Sequence, residues 1–192
     1  MKQNQICWYC NKKTDIKDFR CQVCKKIQKI NETNPYNIFR TEKSFILNFD
    51  DLEQKYLKLQ SIFHPDKFIN ADSNQKQISI GESSKINNAY NLLMNNVDRV
   101  KILLDFYGYK QDDAVGKSFK DPDLLEEIMD LQSKCMSIEH QNEKQKVKNE
   151  IKLQISSLED EIEKNIKEKL FSKAQDLSIK LSYLEKIKKD LK

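Results

Sequence analysis

Four cysteines stand in two close pairs, Cys7-Trp-Tyr-Cys10 and Cys21-Gln-Val-Cys24, with ten residues between them. Each pair offers two thiolates from one tight turn, and two such turns can close a tetrahedral four-sulfur site around Zn²⁺. Four protein ligands leave no open coordination position, so the ion would serve structure and not chemistry. A segment this small buries little apolar surface, and metal coordination would supply most of its folding energy. Iron in a rubredoxin-like site satisfies the same spacing, and a pair of redox dithiols is the metal-free alternative. Trp8, Tyr9, Phe19 and Val23 are expected to pack around the sulfurs.

The second group with chemical potential is His64-Pro65-Asp66, followed by Lys67 and Phe68. Leu52, Tyr56, Leu59 and Phe63 precede it at steps of four, three and four, which predicts one buried helix face. Asn48 is the expected N-cap, and Asp50 and Asp51 in the first turn suit the helix dipole. Proline then disfavours the helical region for His64, so imidazole and carboxylate leave the helix on a stiff turn. Asn70, Asp72 and Asn74 suit the start of a further helix, whose face is formed by Ile86, Ala89, Tyr90 and Leu93. Two helices joined by a loop that presents His, Pro and Asp resemble a J-domain. Tyr36, Phe39 and Phe45 would supply its short first helix and the lead into the second. Lys55 and Lys58 lie on faces of the second helix that its apolar stripe does not use.

Stepping along the chain divides it in three. Residues 1–33 form the tetracysteine segment, the polar joint Asn31–Pro35 closes it, and residues 34–110 form the J-like region. That region includes a helical piece with Val100, Leu103, Leu104 and Phe106, ended by Gly108. Gln111–Lys120 reads as a linker to residues 111–192. There Asp121-Pro122 is an N-cap followed by proline at the first helical position. Leu124, Leu125, Ile128, Met129, Leu131 and Met136 give the next helix a broad apolar surface. Val147, Ile151, Ile155, Leu158, Ile162 and Ile166 mark a long helix, and Leu177, Leu181, Leu184 and Leu191 a last one. These three can fold back as a bundle, with an extended coiled coil as the alternative. The expected class is therefore all-α: a helical hairpin and a three-helix bundle behind a small zinc-ribbon-like segment.

Composition narrows the function. Charged residues are 33% and glycines number three, which suits solvated helices and excludes the glycine-rich linkers of generalist J-proteins. The net charge of +4 is spread along the chain, which argues against a nucleic-acid-binding stripe. No apolar run approaches membrane-spanning length. With six residues before Cys7, no signal or transit peptide is expected, and the odd cysteine count suits a metal site better than a disulfide framework. His64 and His140 are the only histidines, and no glycine loop could cradle a phosphate, so no catalysis is expected of the chain itself. Cys135 reads as a small buried hydrophobe.

HPDKF at 64–68, SKINNAYNLL at 84–93, DPDLLEEIMD at 121–130 and KLSYLEKI at 180–187 together resemble the HscB family of J-type co-chaperones of iron–sulfur cluster assembly. The tetracysteine segment resembles that of metazoan-type members. The resemblance implies that His64, Pro65 and Asp66, with Lys55 and Lys58, dock on a DnaK/HscA-type chaperone and stimulate its ATPase. It also implies that Leu125 and Met129 on the first bundle helix and Tyr183 on the last hold an IscU-type scaffold, with Asp130 a polar neighbour. Glu126 stands where bacterial members tend to be apolar, and Ser133 and Lys134 replace family-typical acidic residues. No nucleic acid or membrane is expected as a partner, and weak self-association is. A mitochondrion or derived organelle is the implied compartment, with the cytoplasm as the alternative.

Overall fold

The structure, a computed structural model, describes residues 4–16, 18–109, 122–136, 138 and 140–191, with residues 122–124 described as backbone alone. The expected linker 111–120, the Asp121 cap and the Leu124 side chain lie outside the described residues. The elements are β1 (Asn4–Ile6), β2 (Lys13–Asp15), α1 (Pro35–Phe39), α2 (Phe49–Phe63), a 3₁₀ turn (Pro65–Phe68), α3 (Ser73–Met94), α4 (Asn96–Phe106), α5 (Pro122–Met136), α6 (Gln141–Lys167) and α7 (Phe171–Asp190). No helix among the described residues is long and apolar enough to cross a membrane. The chain forms two units, one of residues 1–42 and 47–94, the other of residues 43–46 and 95–192.

In the first unit, β1 and β2 pair antiparallel, with Gln5 opposite Thr14. The side chain of Asn34 caps α1 and that of Asn48 caps α2, accepting from Asp51 N at 3.0 Å. Asp72 Oδ1 accepts from Gln75 N at 2.9 Å and so begins α3. Leu52, Leu59 and Phe63 of α2 are buried with Ile86, Ala89 and Leu93 of α3, the two helices packing as a hairpin. Each large side chain of that set contributes roughly 1.5–3 kcal/mol by leaving water. Polar contacts fix the hairpin's register. Tyr56 stacks on Tyr90 at 4.3 Å between ring centres, and Gln60 Nε2 donates to Asn87 Oδ1 at 2.6 Å.

In the second unit, Val147, Ile151, Ile155, Leu158, Ile162 and Ile166 of α6 form the buried stripe their spacing predicts. They face α7, which buries Ala174, Leu181, Leu184 and Ile187. Lys169, at φ 61°, turns the chain between the two helices, and Leu170 N donates back to Asn165 O at 2.8 Å.

Two features of the second unit depend on partners that spacing does not reveal. Helix α4, grouped above with the J-like region, packs on α7 within the second unit. Its spacing reveals an apolar face, with Val100, Leu103 and Leu104 buried, but a period carries no information about which neighbour covers it. Phe45, expected in the lead into the second helix, lies between α1 and α2 and is fully buried in the second unit, where the Arg99 guanidinium lies 4.5 Å from its ring centre. Arg99 Nε donates to Phe45 O at 2.7 Å, and Glu163 Oε2 accepts from Phe45 N at 2.7 Å, from Ser44 Oγ at 3.1 Å and from Ile46 N at 3.3 Å. Residues 43–46 are thus held from both sides by charged groups that are themselves buried.

Candidate functional site

Each cysteine pair sits on the same backbone turn. Cys7 N donates to Lys12 O and Asn11 N to Cys7 O; fourteen positions later, Cys21 N donates to Lys26 O and Lys25 N to Cys21 O. Asn11 at φ 55° and Lys25 at φ 62° occupy the left-handed region that closes each turn. The turns face one another, with Cys7 Sγ 3.6 Å from Cys24 Sγ and Cys10 Sγ 3.7 Å from Cys21 Sγ. All four sulfurs lie within 4.8 Å of one another and none is in a disulfide. A tetrahedron with metal–sulfur bonds of about 2.3 Å has edges of about 3.8 Å, so the donor set fits one four-coordinate ion.

The electrostatics agree with that fit. Burial pushes the Cys7 thiol up, but N–H groups of Cys10 and Tyr9 and the neighbouring sulfurs outweigh it and hold the thiol at about 6. The N–H of Cys24, the largest influence on Cys21, lowers that thiol as well. Burial and the adjacent sulfurs push Cys24 up to about 12. Four sulfurs this close cannot all ionise without a cation among them.

The surroundings differ from the expectation. Tyr9 and Val23 are exposed, at 58% and 63%, and do not enclose the sulfurs. In a two-knuckle site the residues between paired ligands point outward, and only half-buried Trp8 turns in, donating from Nε1 to Ile27 O at 2.7 Å. Phe19 meets Phe63 of α2 edge-on at 5.7 Å. Gln28, buried and unremarked from the sequence, donates from Nε2 to Cys7 Sγ at 3.4 Å and to Lys26 O at 2.9 Å. Its position four residues after Cys24 is the signal that could have found it.

The segment is seated on the hairpin within one unit. Lys26 Nζ pairs with Asp72 at 2.6 Å, and Lys85 Nζ donates to Ile30 O at 2.7 Å. That pairing, the largest influence on it, holds the Asp72 carboxyl down to about 2.

At the end of α2, His64 takes an extended ψ of 127° and its Nδ1 accepts from Asp66 N at 3.4 Å. The imidazole and the Asp66 carboxylate stand 3.6 Å apart with side chains 51% and 79% exposed, while Phe68 is buried and anchors the turn. Lys67 Nζ reaches back to Ser61 O. Lys58 is exposed; Lys55 pairs with Asp51 at 2.6 Å and lies against Arg40 O.

On α5, Ile128 is buried while Leu125 and Met129, one turn apart, are 43% and 60% exposed. Leu131 is half-buried, and Asp130 and Glu126 are exposed. Tyr183 is half-buried on α7, three residues beyond Lys180, which binds Glu127 of α5 at 2.8 Å. Cys135 is half-buried, with its thiol pushed up by burial, and His140 stands exposed at the start of α6.

A helical hairpin with an exposed His-Pro-Asp turn, followed by a helical bundle, is the arrangement expected of a bundle-bearing J-type co-chaperone. Comparison with known proteins specifies it further. Residues 120–192 match the family model described as the HSCB C-terminal oligomerisation domain. The co-chaperone protein HscB homolog of Neisseria gonorrhoeae is 35% identical over 114 residues, covering 59% of this chain and 68% of that protein. The iron–sulfur cluster co-chaperone protein HscB of Mus musculus is 25% identical over 191 residues, covering 97% and 81%. The crystal structure of human co-chaperone HscB has the same fold, with TM-score 0.80, 23% identity and coverage of 97% and 96%. The chain belongs to the HscB co-chaperone family.

Proposed function

We propose that the chain is a co-chaperone of iron–sulfur cluster assembly that holds an IscU-type scaffold on its bundle. It presents that scaffold to a DnaK/HscA-type chaperone, whose ATPase the His-Pro-Asp turn stimulates. One observation carries the reading: Leu125 and Met129 share an exposed apolar strip although Ile128 already serves the core. Exposed apolar residues one turn apart suit a binding hot spot. On the other unit, the stiff turn lets Asp66 meet an arginine of the chaperone without ordering a flexible loop. The chain is a helper of another protein's catalysis. Its compartment is a mitochondrion or derived organelle, with the cytoplasm as the alternative.

Titration calorimetry against the IscU-type scaffold tests this. Leu125→Ala/Met129→Ala/Tyr183→Ala is expected to weaken binding by about two orders of magnitude or more, since hot-spot side chains cost ~2 kcal/mol each. Unchanged helical circular dichroism must accompany the loss. Wild-type affinity in the triple variant would refute the footprint, and no binding by the wild type would refute the client. The family model's description of residues 120–192 favours a second use of the bundle, self-association, which sedimentation at the same concentrations reads directly.

The ion assigned to the four cysteines is Zn²⁺. Chelation is expected to disorder residues 1–33 and lower the thermal midpoint, because Phe19, Ile27 and Ile30 lose their seat. Helical circular dichroism should persist at low temperature; its collapse would show that the hairpin depends on the metal. One zinc per chain by elemental analysis is the expected content, whereas rubredoxin-like visible bands would reveal iron.

A further inference from the structure

The tetracysteine segment meets the hairpin on both sides of the His-Pro-Asp turn. Phe19 touches Phe63, the residue before His64, and the guanidinium of Arg20 lies 5.8 Å from the ring centre of Phe68, two residues after Asp66. Arg20 is exposed, and its position is set by the second knuckle: Nη1 donates to the carbonyl of Lys25 at 3.3 Å, and Lys25 is the left-handed residue that closes the turn. Phe19 in turn is covered by the Arg40 guanidinium, 5.0 Å from its ring centre. A chain of contacts therefore runs from the knuckle through Lys25 O and Arg20 to Phe68 of the turn. His64 and Asp66 remain exposed beside it, so the segment flanks the turn without hiding it. Exposed Lys67 lies within the turn and Arg20 beside it, so two basic groups accompany the exposed Asp66 carboxylate.

We propose that the tetracysteine segment is a second wall of the chaperone-docking surface, with Arg20 as its contact to an acidic patch on the ATPase chaperone. This rests on the reading of the His-Pro-Asp turn given above. A charge at the edge of an interface acts mainly through encounter and salt dependence. Arg20 has the chemistry for a carboxylate partner, and its bond to Lys25 O and contact with Phe68 hold it beside the turn.

The test uses the full chain, metal-loaded, with its cognate chaperone, and follows ATP turnover against co-chaperone concentration at low and high salt. Arg20→Glu is expected to raise the half-stimulating concentration about tenfold at low salt, with the plateau rate kept and the difference shrinking at high salt. Arg20→Met keeps an aliphatic stem over Phe68 and should fall between, at about threefold. Metal content and scaffold affinity must match the wild type in both. A wild-type half-stimulating concentration in Arg20→Glu overturns the proposal. Equal, salt-independent losses in both variants also overturn it, because they would assign Arg20 to packing alone. His64→Gln in the same assay separates the two levels. If it stimulates like the wild type, the turn's role falls; if it is silent while Arg20→Glu is normal, only the second wall falls.

Discussion

His64→Gln is expected to reduce stimulation of the chaperone's ATPase to the basal rate while leaving scaffold affinity and stability unchanged. The imidazole is half exposed and makes one long hydrogen bond, to Asp66 N at 3.4 Å, so little folding energy depends on it. Surface changes of this kind usually fall within about 0.5 kcal/mol. The turn keeps its shape through Pro65 and the buried Phe68, neither of which is altered. What is lost is the exposed imidazole at the tip, the group proposed to meet the chaperone. Steady-state ATP turnover measures the first effect and titration calorimetry with the scaffold the second. Residual stimulation by the variant would place the activating contact elsewhere on α2. Loss of scaffold binding would mean that the two activities are not carried separately.

The second large effect is on stability. Glu163→Ala is expected to cost about 3 kcal/mol, because Phe45 N–H would stay buried without an acceptor and Ser44 and Ile46 would lose theirs. Chemical denaturation at neutral pH reads this directly, and a change below about 0.5 kcal/mol would be the surface-site value and would defeat it. The pH dependence has a definite sign. Burial, the largest influence, raises the carboxyl of Glu163, but Lys167, Phe45 N, Ser44 and Ile46 N together bring it below its ordinary 4.5. A carboxyl depressed on folding stabilises the protein above its unfolded value and stops doing so as pH falls through the folded one. The deficit of Glu163→Gln relative to wild type should accordingly be present at neutral pH and shrink below about pH 4.5.

Much of the molecule is readable in the sequence because its determinants are local. The cysteine pairs, the Asn48 cap, the proline after His64 and the stripe from Val147 to Ile166 each declare themselves within a few residues. The rest depends on partners far along the chain. Glu163 sits on a long charged helix and reads as part of a solvated face, yet its acceptor role is set by an N–H 118 positions away. Arg99, 1% exposed, is equally unreadable, since an arginine at a helix start ordinarily faces water. Phe19 reads as core for a metal site, but a short segment whose two knuckles point most of their intervening side chains outward has little interior, and its ring is spent on Phe63. Leu125 and Met129 stand between these cases: the excess of apolar residues on α5 is visible, and only burial shows which of them are surplus.

The membership of residues 43–46 in the second unit imposes an order on synthesis. Those residues emerge from the ribosome well before the helix that receives them, with 118 positions separating Phe45 from Glu163. At ~5–20 residues per second that interval is about 6–24 s. Through it, hairpin and tetracysteine segment can already be assembled, while the connection between α1 and α2 carries a phenylalanine with no cover. During that interval the residues of the His-Pro-Asp turn have all been synthesised, whereas those that complete the second unit have not.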